Sequence, residues 1–341
     1  MRGRRSMGRT GDHVPLGVGI FSCESHSAAT MEPVVTVDAL WKSFRSVVAL
    51  ENLTLEVPDG SMYLLLGPNG SGKTTLLRIL AGALLPTEGT VRVLGEDPYR
   101  HLDRKAREVG IAYESHYLPP WASAGMYLRF AARIKGLGSD AVDSVTMRFG
   151  LQPYLSRDMG TYSAGMRKRV MLAQAWLGDP RLLVLDEPLS NLDPEGRRLV
   201  ARLLLVRASE GKTTMVATHL VEPGITPSHL AVLLNGRLAI QGALAAIGEQ
   251  YGAATVTIAT PDQAAVVRLF LEKGIDSITT SREGLLVHGS VANLPTLISS
   301  LRERGIDARL AGESYDIWEI YRAVLLGEEQ RSGFSAPLAA K

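Results

Sequence analysis

The stretch from Gly67 to Thr74, GPNGSGKT, constrains the fold more than any other part of the sequence. It matches the pattern G-x-x-x-x-G-K-(S/T), and it lies between an apolar run typical of a buried strand, Met62–Leu66, and a predicted helix over Thr75–Gly82. Glycines at these spacings let the backbone curl until its N–H groups point at phosphate oxygens, and the following helix adds its positive dipole end. The stretch therefore predicts a phosphate-binding loop that joins a strand to a helix.

The side chains of this loop indicate a nucleoside triphosphate, ATP, bound together with Mg²⁺. Lys73 would bring a positive charge to the β- and γ-phosphates, and the Thr74 hydroxyl would ligate the metal ion. The residues predicted to bind the nucleotide here are Gly67, Pro68, Asn69, Gly70, Ser71, Gly72, Lys73, Thr74 and Thr75. A glycine-rich turn with a chance GKT is the alternative, and the agreement of motif and context disfavours it.

Two further apolar runs are followed by polar residues. Leu182–Leu185 is followed by Asp186 and Glu187, and Thr214–Ala217 is followed closely by His219. Such strands, alternating with helices, predict a parallel α/β sheet, which binds its ligands at the carboxyl ends of its strands. We therefore expect Asp186 to hold Mg²⁺, Glu187 to activate a water as general base, and His219 to sense the γ-phosphate. A surface acidic pair and a structural histidine are the alternatives.

Composition narrows the class of protein. The chain has 341 residues, which is enough for two domains, and 45% hydrophobic and 21% charged residues are ordinary for a soluble globular protein. A net charge of +2 argues against a dedicated nucleic-acid binder. Cys23 is the only cysteine, which excludes an intrachain disulfide and fits a reducing compartment. No apolar run approaches the roughly 20 residues of a membrane helix, so we expect no membrane-spanning segment.

A change of character after about Tyr251 predicts a second, smaller domain. Strand and helix patterns follow the order βαββαβ, and two similar segments, Leu271–Asp276 and Arg302–Asp307, each place a glycine between a helix and a strand. This order indicates a ferredoxin-like α+β domain, and one more helix is predicted over Glu313–Leu326. The predicted organisation is a disordered extension over residues 1–31, a nucleotide-binding domain over 32–250, the ferredoxin-like domain over 251–327 and a flexible tail over 328–341.

The motifs occur in the order found in the ATP-binding cassette (ABC) ATPases, which the chain resembles over about residues 34–245. Tyr162–Met166 is similar to the signature of that family, Leu-Ser-Gly-Gly-Gln. Ser190–Asp193 is similar to its D-loop, and His219 to its switch histidine. The resemblance implies a P-loop NTPase fold with a parallel sheet core, an antiparallel β subdomain and a helical subdomain.

The resemblance also implies a composite site, in which two cassettes pack head to tail. Ser163 and Gly165 of one cassette would contact the γ-phosphate of ATP held by Lys73 of the other, with Asp193 at the same interface. Because the chain carries one cassette, its working unit would be a homodimer or a pair with a related cassette. The basic run Arg167–Arg169, which follows the signature, is predicted to be a solvated helix face rather than a nucleic-acid site.

Five positions of the resemblance either depart from the family pattern or have a second interpretation. Glu114 stands where the Q-loop of the family has Gln, and a carboxylate there would still ligate Mg²⁺ and order water while adding charge near the phosphates. Phe44 corresponds to the aromatic residue that stacks on adenine, with a core aromatic as the alternative. Ala164 and Met166 replace Gly and Gln of the signature, for which slower hydrolysis is expected. For Ser163, capping of a helix is the alternative to a phosphate contact.

Two segments favour an exporter. Tyr117–Phe130 resembles the corresponding part of export-type cassettes, and Tyr315–Tyr321 resembles the closing helix of exporter ATPases. The expected function is therefore the ATP-hydrolysing subunit of an ABC efflux transporter, in the cytoplasm at the inner face of the membrane, bound to a separately encoded transmembrane permease. No nucleic-acid partner is expected. The alternatives are a soluble ABC ATPase that acts on nucleic acid or ribosomes, and a slow nucleotide-gated switch.

Overall fold

The computed structural model describes residues 32–100, 107–115, 117–221, 225–273, 275, 278–280, 284–288 and 294–332. The predicted extension over residues 1–31 lies outside the described residues, as do Cys23 and the last part of the predicted tail, residues 333–341. The described strands are β1 (Val35–Phe44), β2 (Val47–Val57), β3 (Met62–Leu66), β4 (Glu88–Val93), β5 (Val109–Ala112), β6 (Leu182–Asp186), β7 (Thr213–Thr218), β8 (His229–Leu234), β9 (Arg237–Ala243), β10 (Ala254–Ala259), β11 (Ile278–Thr280), β12 (Leu285–His288) and β13 (Arg309–Tyr315). The described helices are α1 (Lys73–Leu80), α2 (Ala124–Ile134), α3 (Ser139–Arg148), α4 (Ala164–Trp176), α5 (Pro194–Ser209), α6 (Leu244–Gln250), α7 (Gln263–Glu272), α8 (Leu294–Glu303) and α9 (Ile317–Ser332).

A six-stranded sheet with the order β5-β6-β7-β3-β8-β9 forms the centre of the fold. The first five of these strands are parallel to their neighbours, and β9 is antiparallel to β8. The predicted parallel α/β core is thus confirmed. In the register of the sheet Leu66 lies opposite Thr218, and Asp186 lies opposite Ala217. The ends of β3, β6 and β7 therefore meet at one edge, where the phosphate loop begins.

A three-stranded antiparallel sheet, with the order β2-β1-β4, covers one face of the central sheet. Strand β3 shows how one strand serves two hydrophobic cores: Tyr63 and Leu65 pack with the antiparallel sheet, while Leu64 and Leu66 pack with the helices on the other face. Side chains of a strand alternate between the two faces of its sheet, so an entirely apolar run such as β3 is required for burial on both sides.

Helices α2, α3 and α4 form a helical layer on the second face. Phe149 and Trp176 meet edge to face at a centroid distance of 5.4 Å within this layer, and both side chains are buried. Helix α1 begins at Lys73, earlier than the predicted start at Thr75, because the phosphate loop itself supplies the N-terminal end of the helix.

The C-terminal region contains the predicted order βαββαβ in a four-stranded antiparallel sheet, β11-β12-β10-β13, with a separate apolar core shared with α7 and α8. The predicted helix over Glu313–Leu326 is wrong in both limits. Residues up to Tyr315 belong to β13, because Ser314 pairs with Thr255 of β10, and α9 runs from Ile317 to Ser332. Ile320 and Val324 of α9 pack in the core of the nucleotide-binding region rather than in the C-terminal core.

Across the part of the chain that the structure describes, no helix combines the length and the apolar character needed to cross a membrane.

Candidate functional site

The phosphate loop encloses the ammonium group of Lys73. The Nζ atom of Lys73 donates to the carbonyl oxygens of Gly67, at 2.6 Å, and Pro68, at 3.0 Å, and the residue is only 6% exposed. Burial lowers the pKa of Lys73, and the negative charges of Glu187, Asp186 and Glu114 oppose that effect. The loop thus holds a cation at its centre, where an anionic ligand would meet it.

The glycines of the loop are required by close approach of other backbone atoms. A Cβ at Gly67 would lie 2.3 Å from the carbonyl oxygen of Leu233, and one at Gly72, whose φ is +106°, would lie 2.6 Å from the carbonyl oxygen of Ala49. The hydroxyl oxygen of Ser71 is buried in this loop without a hydrogen-bond partner in the described part of the structure. A curled glycine loop with a buried, unsatisfied hydroxyl and a buried ammonium group fits the phosphates of a nucleotide.

Thr74 and Asp186 bring a hydroxyl and a carboxylate together at the same edge. The Oγ1 atom of Thr74 donates to Oδ2 of Asp186 at 2.7 Å. Burial raises the pKa of Asp186, the hydrogen bond from Thr74 lowers it, and the negative charges of Glu187 and Glu114 raise it further. This pair fits Mg²⁺, a hard cation that proteins hold through one or two carboxylates together with substrate phosphates.

The acidic groups at this edge do not make a metal cage by themselves. Among the described residues, no group of three or more His, Cys, Asp or Glu side chains is arranged to hold a metal ion. A magnesium ion would therefore also need oxygen ligands from water and from the nucleotide, which agrees with how Mg²⁺ is bound in phosphoryl-transfer sites.

Glu187 directly follows β6 and adopts a left-handed backbone conformation with φ +47°, which is strained for a residue with a side chain. Its N–H donates to the carbonyl oxygen of Ala217 at 2.9 Å. Its carboxylate accepts hydrogen bonds from the Thr218 hydroxyl at Oε2, 2.8 Å, and from the His219 N–H at Oε1, 2.8 Å, and Nδ1 of His219 lies 2.6 Å from Oε1. Two residues at the end of β7 thus fix the orientation of this carboxylate.

A cavity of about 290 Å³ lies between these groups. Its lining residues are Ala49, Asn69, Gly70, Gly72, Lys73, Thr74, Thr75, Glu114, Asp186 and Glu187. Six of the nine predicted loop residues, both strand-end carboxylates and Glu114 thus meet at one cavity, whereas Gly67, Pro68 and Ser71 do not line it. Phe44 lies at the end of β1 with 45% of its surface exposed, and Nζ of Lys42 lies 4.9 Å from the centroid of its ring. It is therefore not a core aromatic.

The residues of the predicted signature lie elsewhere on the chain. Ser163 caps α4, because its side chain accepts a hydrogen bond from the N–H of Met166 at 3.2 Å. Gly165 packs closely on the D-loop, where an added Cβ would lie 3.1 Å from the carbonyl oxygen of Asn191. Asp193 caps α5 by accepting from the N–H of Gly196 at 2.7 Å. None of Ser163, Gly165 and Asp193 is among the residues that line the phosphate cavity.

The prediction that Arg167–Arg169 forms a solvated helix face is wrong for Lys168. That side chain is 2% exposed, and its Nζ donates to the carbonyl oxygen of Asp186 at 3.2 Å. The Nη2 atom of Arg169 forms an ion pair with Oδ1 of Asp193 at 3.1 Å. The basic run is therefore divided between the core, the D-loop and the surface.

Thr218, Lys168 and Arg169 contact predicted site residues and were not predicted to do so. Thr218 had a signal in the sequence, because it stands between the strand core and His219 at the edge where ligands bind. The contacts of Lys168 and Arg169 join segments that are distant in sequence, and no local pattern reports such contacts.

The site combines a glycine loop around a buried lysine, a Thr–Asp pair and a carboxylate oriented by a histidine. All of these groups lie at the carboxyl edge of a parallel sheet, and together they define a P-loop nucleoside-triphosphatase site. Comparison with known proteins identifies the family within this class. Residues 50–190 match the ABC transporter family. The chain is 33% identical over 235 residues to the ABC transporter ATP-binding protein YxlF of Bacillus subtilis (strain 168), an alignment that covers 67% of this chain and 78% of the relative.

A second relative and two solved structures are consistent with the same family. The chain is 34% identical over 217 residues to Nod factor export ATP-binding protein I of Cupriavidus metallidurans, covering 62% of this chain and 72% of the relative. A solved ATP-binding subunit of an ABC transporter matches with a TM-score of 0.59 and 26% identity, over 64% of this chain and 93% of that one. An ATP-binding cassette in a dimeric post-hydrolysis state with ADP and Pi matches with a TM-score of 0.57 and 21% identity, over 61% of this chain and 98% of that one. The chain belongs to the family of ABC transporter ATP-binding proteins.

Proposed function

We propose that this chain hydrolyses ATP as one half of a dimer and thereby powers export through a separately encoded membrane subunit. The observation that carries the ATPase part is the position of Glu187 at the phosphate cavity, where Thr218 and His219 orient its carboxylate. Since the Thr218 hydroxyl and the His219 N–H hold its two oxygens, the carboxylate has a fixed direction and is suited to act on one water molecule rather than on bulk solvent.

In the proposed mechanism, Lys73 and the N–H groups of the loop bind and orient the phosphates. Mg²⁺, when bound, supplies neutralisation of charge on the β- and γ-phosphate oxygens, and Thr74, Asp186 and Glu114 are the residues that would hold it. Glu187 would accept the proton of the attacking water, and His219 would keep that carboxylate and the γ-phosphate in register. Most of the rate enhancement would come from positioning and from electrostatic stabilisation.

The distribution of the site residues supports a dimer. Ser163, Gly165 and Asp193 do not line the cavity that contains Lys73. Ser163 and Gly165 lie at the start of α4, and Asp193 lies at the start of α5. A dimer that packs head to tail would bring the signature of one copy to the ATP of the other. A solved cassette with the same fold is dimeric in its post-hydrolysis state.

Two observations support export through a membrane subunit. The name of one relative describes an exporter of Nod factor. In addition, five large apolar side chains between residues 117 and 134 are exposed, by 45% to 76% each: Tyr117, Trp121, Met126, Phe130 and Ile134. The last three recur at intervals of four on α2 and so share one face of that helix. We propose that this apolar face receives the membrane subunit, which would hold the chain at the inner face of the cell membrane.

A pull-down of the full chain from detergent-solubilised membranes tests this proposal. We expect capture of a polytopic membrane protein, and loss of that capture with Phe130→Asp. Met147→Asp is the matched control, because Met147 is an equally exposed apolar side chain on the neighbouring helix α3. Capture of ribosomal proteins or nucleic acid instead would contradict the proposed partner. Capture of a membrane protein that Phe130→Asp leaves intact would contradict the proposed surface.

A further inference from the structure

Lys168 places a second buried cation behind the nucleotide cavity. It projects from α4, is 2% exposed, and donates from Nζ to the carbonyl oxygen of Asp186 at 3.2 Å. It is not among the residues that line the cavity, so a bound nucleotide would not touch it. A buried ammonium group requires compensation, because removing its charge from water is costly.

The compensating charges belong to the nucleotide site itself. Burial lowers the pKa of Lys168 to about 8, and the negative charges of Asp186, Glu114 and Glu187 oppose that shift. The same three carboxylates act on Lys73. Three carboxylates therefore line the cavity, and their charges act on two buried ammonium groups. Of these two groups, Lys73 lines the cavity and Lys168 does not.

Glu114 increases the negative charge of the cavity. It lines the cavity beside Asp186 and Glu187, and it adds a negative charge where a polyanionic ligand must bind. A charge of opposite sign, buried behind Asp186, reduces that unfavourable potential without occupying the space of the ligand. Lys168 and Asp186 are buried, where little water screens their charges, whereas Glu114 is exposed, so water screens part of its charge.

We propose that Lys168 is a charge-compensating positioning residue, whose ammonium group offsets the charge of Glu114 so that the cavity can accept the phosphates of ATP. This inference rests on the proposed function in one respect only, namely that the cavity binds ATP. It does not require hydrolysis, dimerisation or a membrane partner.

Lys135 provides a matched control within the same chain. It is also buried, at 7% exposure, its Nζ donates to the carbonyl oxygen of Leu177 at 3.2 Å, and burial lowers its pKa to about 8. The carbonyl group that Lys135 contacts belongs to Leu177, which does not line the phosphate cavity, whereas Lys168 contacts Asp186, which does. A role in packing alone would make the two lysines equivalent.

The experiment measures binding of a fluorescent ATP analogue in EDTA, so that metal ligation by Glu114 does not contribute, at low and at high ionic strength. The variants are Lys168→Met, Glu114→Gln, the double variant and Lys135→Met, each checked for folding by circular dichroism and thermal melting. Methionine keeps an unbranched side chain of similar length and removes the charge.

We expect Lys168→Met to weaken binding about tenfold at low salt, with a smaller loss at high salt, because the effect is electrostatic. The double variant, which restores the balance of charge, should bind the analogue within about threefold of the unmodified protein, and Lys135→Met should not change affinity. The proposal is overturned if the double variant binds the analogue no more tightly than Lys168→Met does, or if Lys135→Met weakens binding as much as Lys168→Met.

A second measurement keeps the test decisive if Lys168→Met does not fold. Glu114→Gln alone removes one negative charge from the cavity, so it should tighten metal-free binding of the analogue about threefold at low salt, since water screens part of the charge of this exposed residue. Unchanged affinity in that variant would overturn the compensation. Failure of the unmodified protein to bind the analogue with or without Mg²⁺ would instead contradict the proposed ATPase function, so the two failures are distinguishable.

Discussion

Replacement of Thr218 by Val removes one hydroxyl group and nearly nothing else. That hydroxyl donates to Oε2 of Glu187 at 2.8 Å and accepts from the N–H of Leu220 at 3.2 Å. Thr218 and Glu187 are 3% and 7% exposed, so water does not readily replace the lost donor. The N–H and the Nδ1 atom of His219 both lie against Oε1 of Glu187, so the variant removes the hydrogen bond that holds Oε2 and lets the carboxylate turn about Oε1.

The expected loss of activity in Thr218→Val follows from the charge of the Glu187 carboxylate, which accepts the hydrogen bond. A hydrogen bond to a charged group contributes about 1.5–3 kcal/mol, which corresponds to roughly 10- to 100-fold in rate if all of it acts in the transition state. Because His219 still holds Oε1, we expect the lower part of that range, a fall in kcat of about tenfold. Affinity for ATP should not change, since Thr218 does not line the phosphate cavity.

The assay is steady-state ATP hydrolysis together with binding of an ATP analogue. Thr218→Ser retains the hydroxyl and should restore most of kcat. Thr214→Val is the matched control, because Thr214 is a fully buried threonine of the same strand whose hydroxyl accepts from Nε of Arg207 at 3.3 Å, away from the cavity. Thr218 does not orient Glu187 if Thr218→Val hydrolyses ATP as fast as the unmodified chain, or if Thr214→Val and Thr218→Ser lose as much activity as Thr218→Val.

Three further predictions concern the same site. Glu187→Gln should reduce kcat by at least about 100-fold, because an amide is a poor base, and should accumulate an ATP-bound dimer in size-exclusion chromatography with light scattering; normal hydrolysis would exclude Glu187 as general base. The hydrolysis rate per chain should rise with protein concentration, and a constant rate in a monomer confirmed by sedimentation would exclude a shared site. The pKa of Asp186 is raised by burial, so its contribution to stability is present at low pH and lost as the pH rises through its folded value. Asp186→Asn should therefore melt a few degrees higher than the unmodified chain near pH 8, a gain that shrinks on acidification, while the stabilisation by Mg²⁺ and ATP disappears; a lower melting temperature near pH 8 would contradict this sign.

The parts of the site that local sequence could predict are those carried by single segments. The phosphate loop follows β3 directly, and Asp186 and Glu187 end a strand whose apolar run is unbroken. Parallel strands share one ligand-binding edge, so pattern and topology together were enough to bring these groups to one cavity.

The start of the last helix could not be predicted in the same way. Residues up to Tyr315 have no local feature that excludes a helix, and they form a strand because they pair with β10, more than fifty residues earlier in the chain. Asp316 then begins the helix, since its Oδ1 accepts from the N–H groups of Trp318 and Glu319. Pairing between distant segments decided this boundary, although the capping aspartate was visible in the sequence.

The burial of Lys168 differs from the predicted solvated helix face, and the geometry of the helix explains why. Consecutive residues of an α-helix point about 100° apart, so Arg167, Lys168 and Arg169 together cover roughly 200° of its circumference. Helix α4 is buried at Val170 and Leu172 as well as at Lys168, and so it is enclosed by protein over much of its surface. Three successive basic residues on such a helix cannot all face solvent, and at least one must find its partner inside. The residue that does so lies against Asp186, where three carboxylates make a buried ammonium group tolerable.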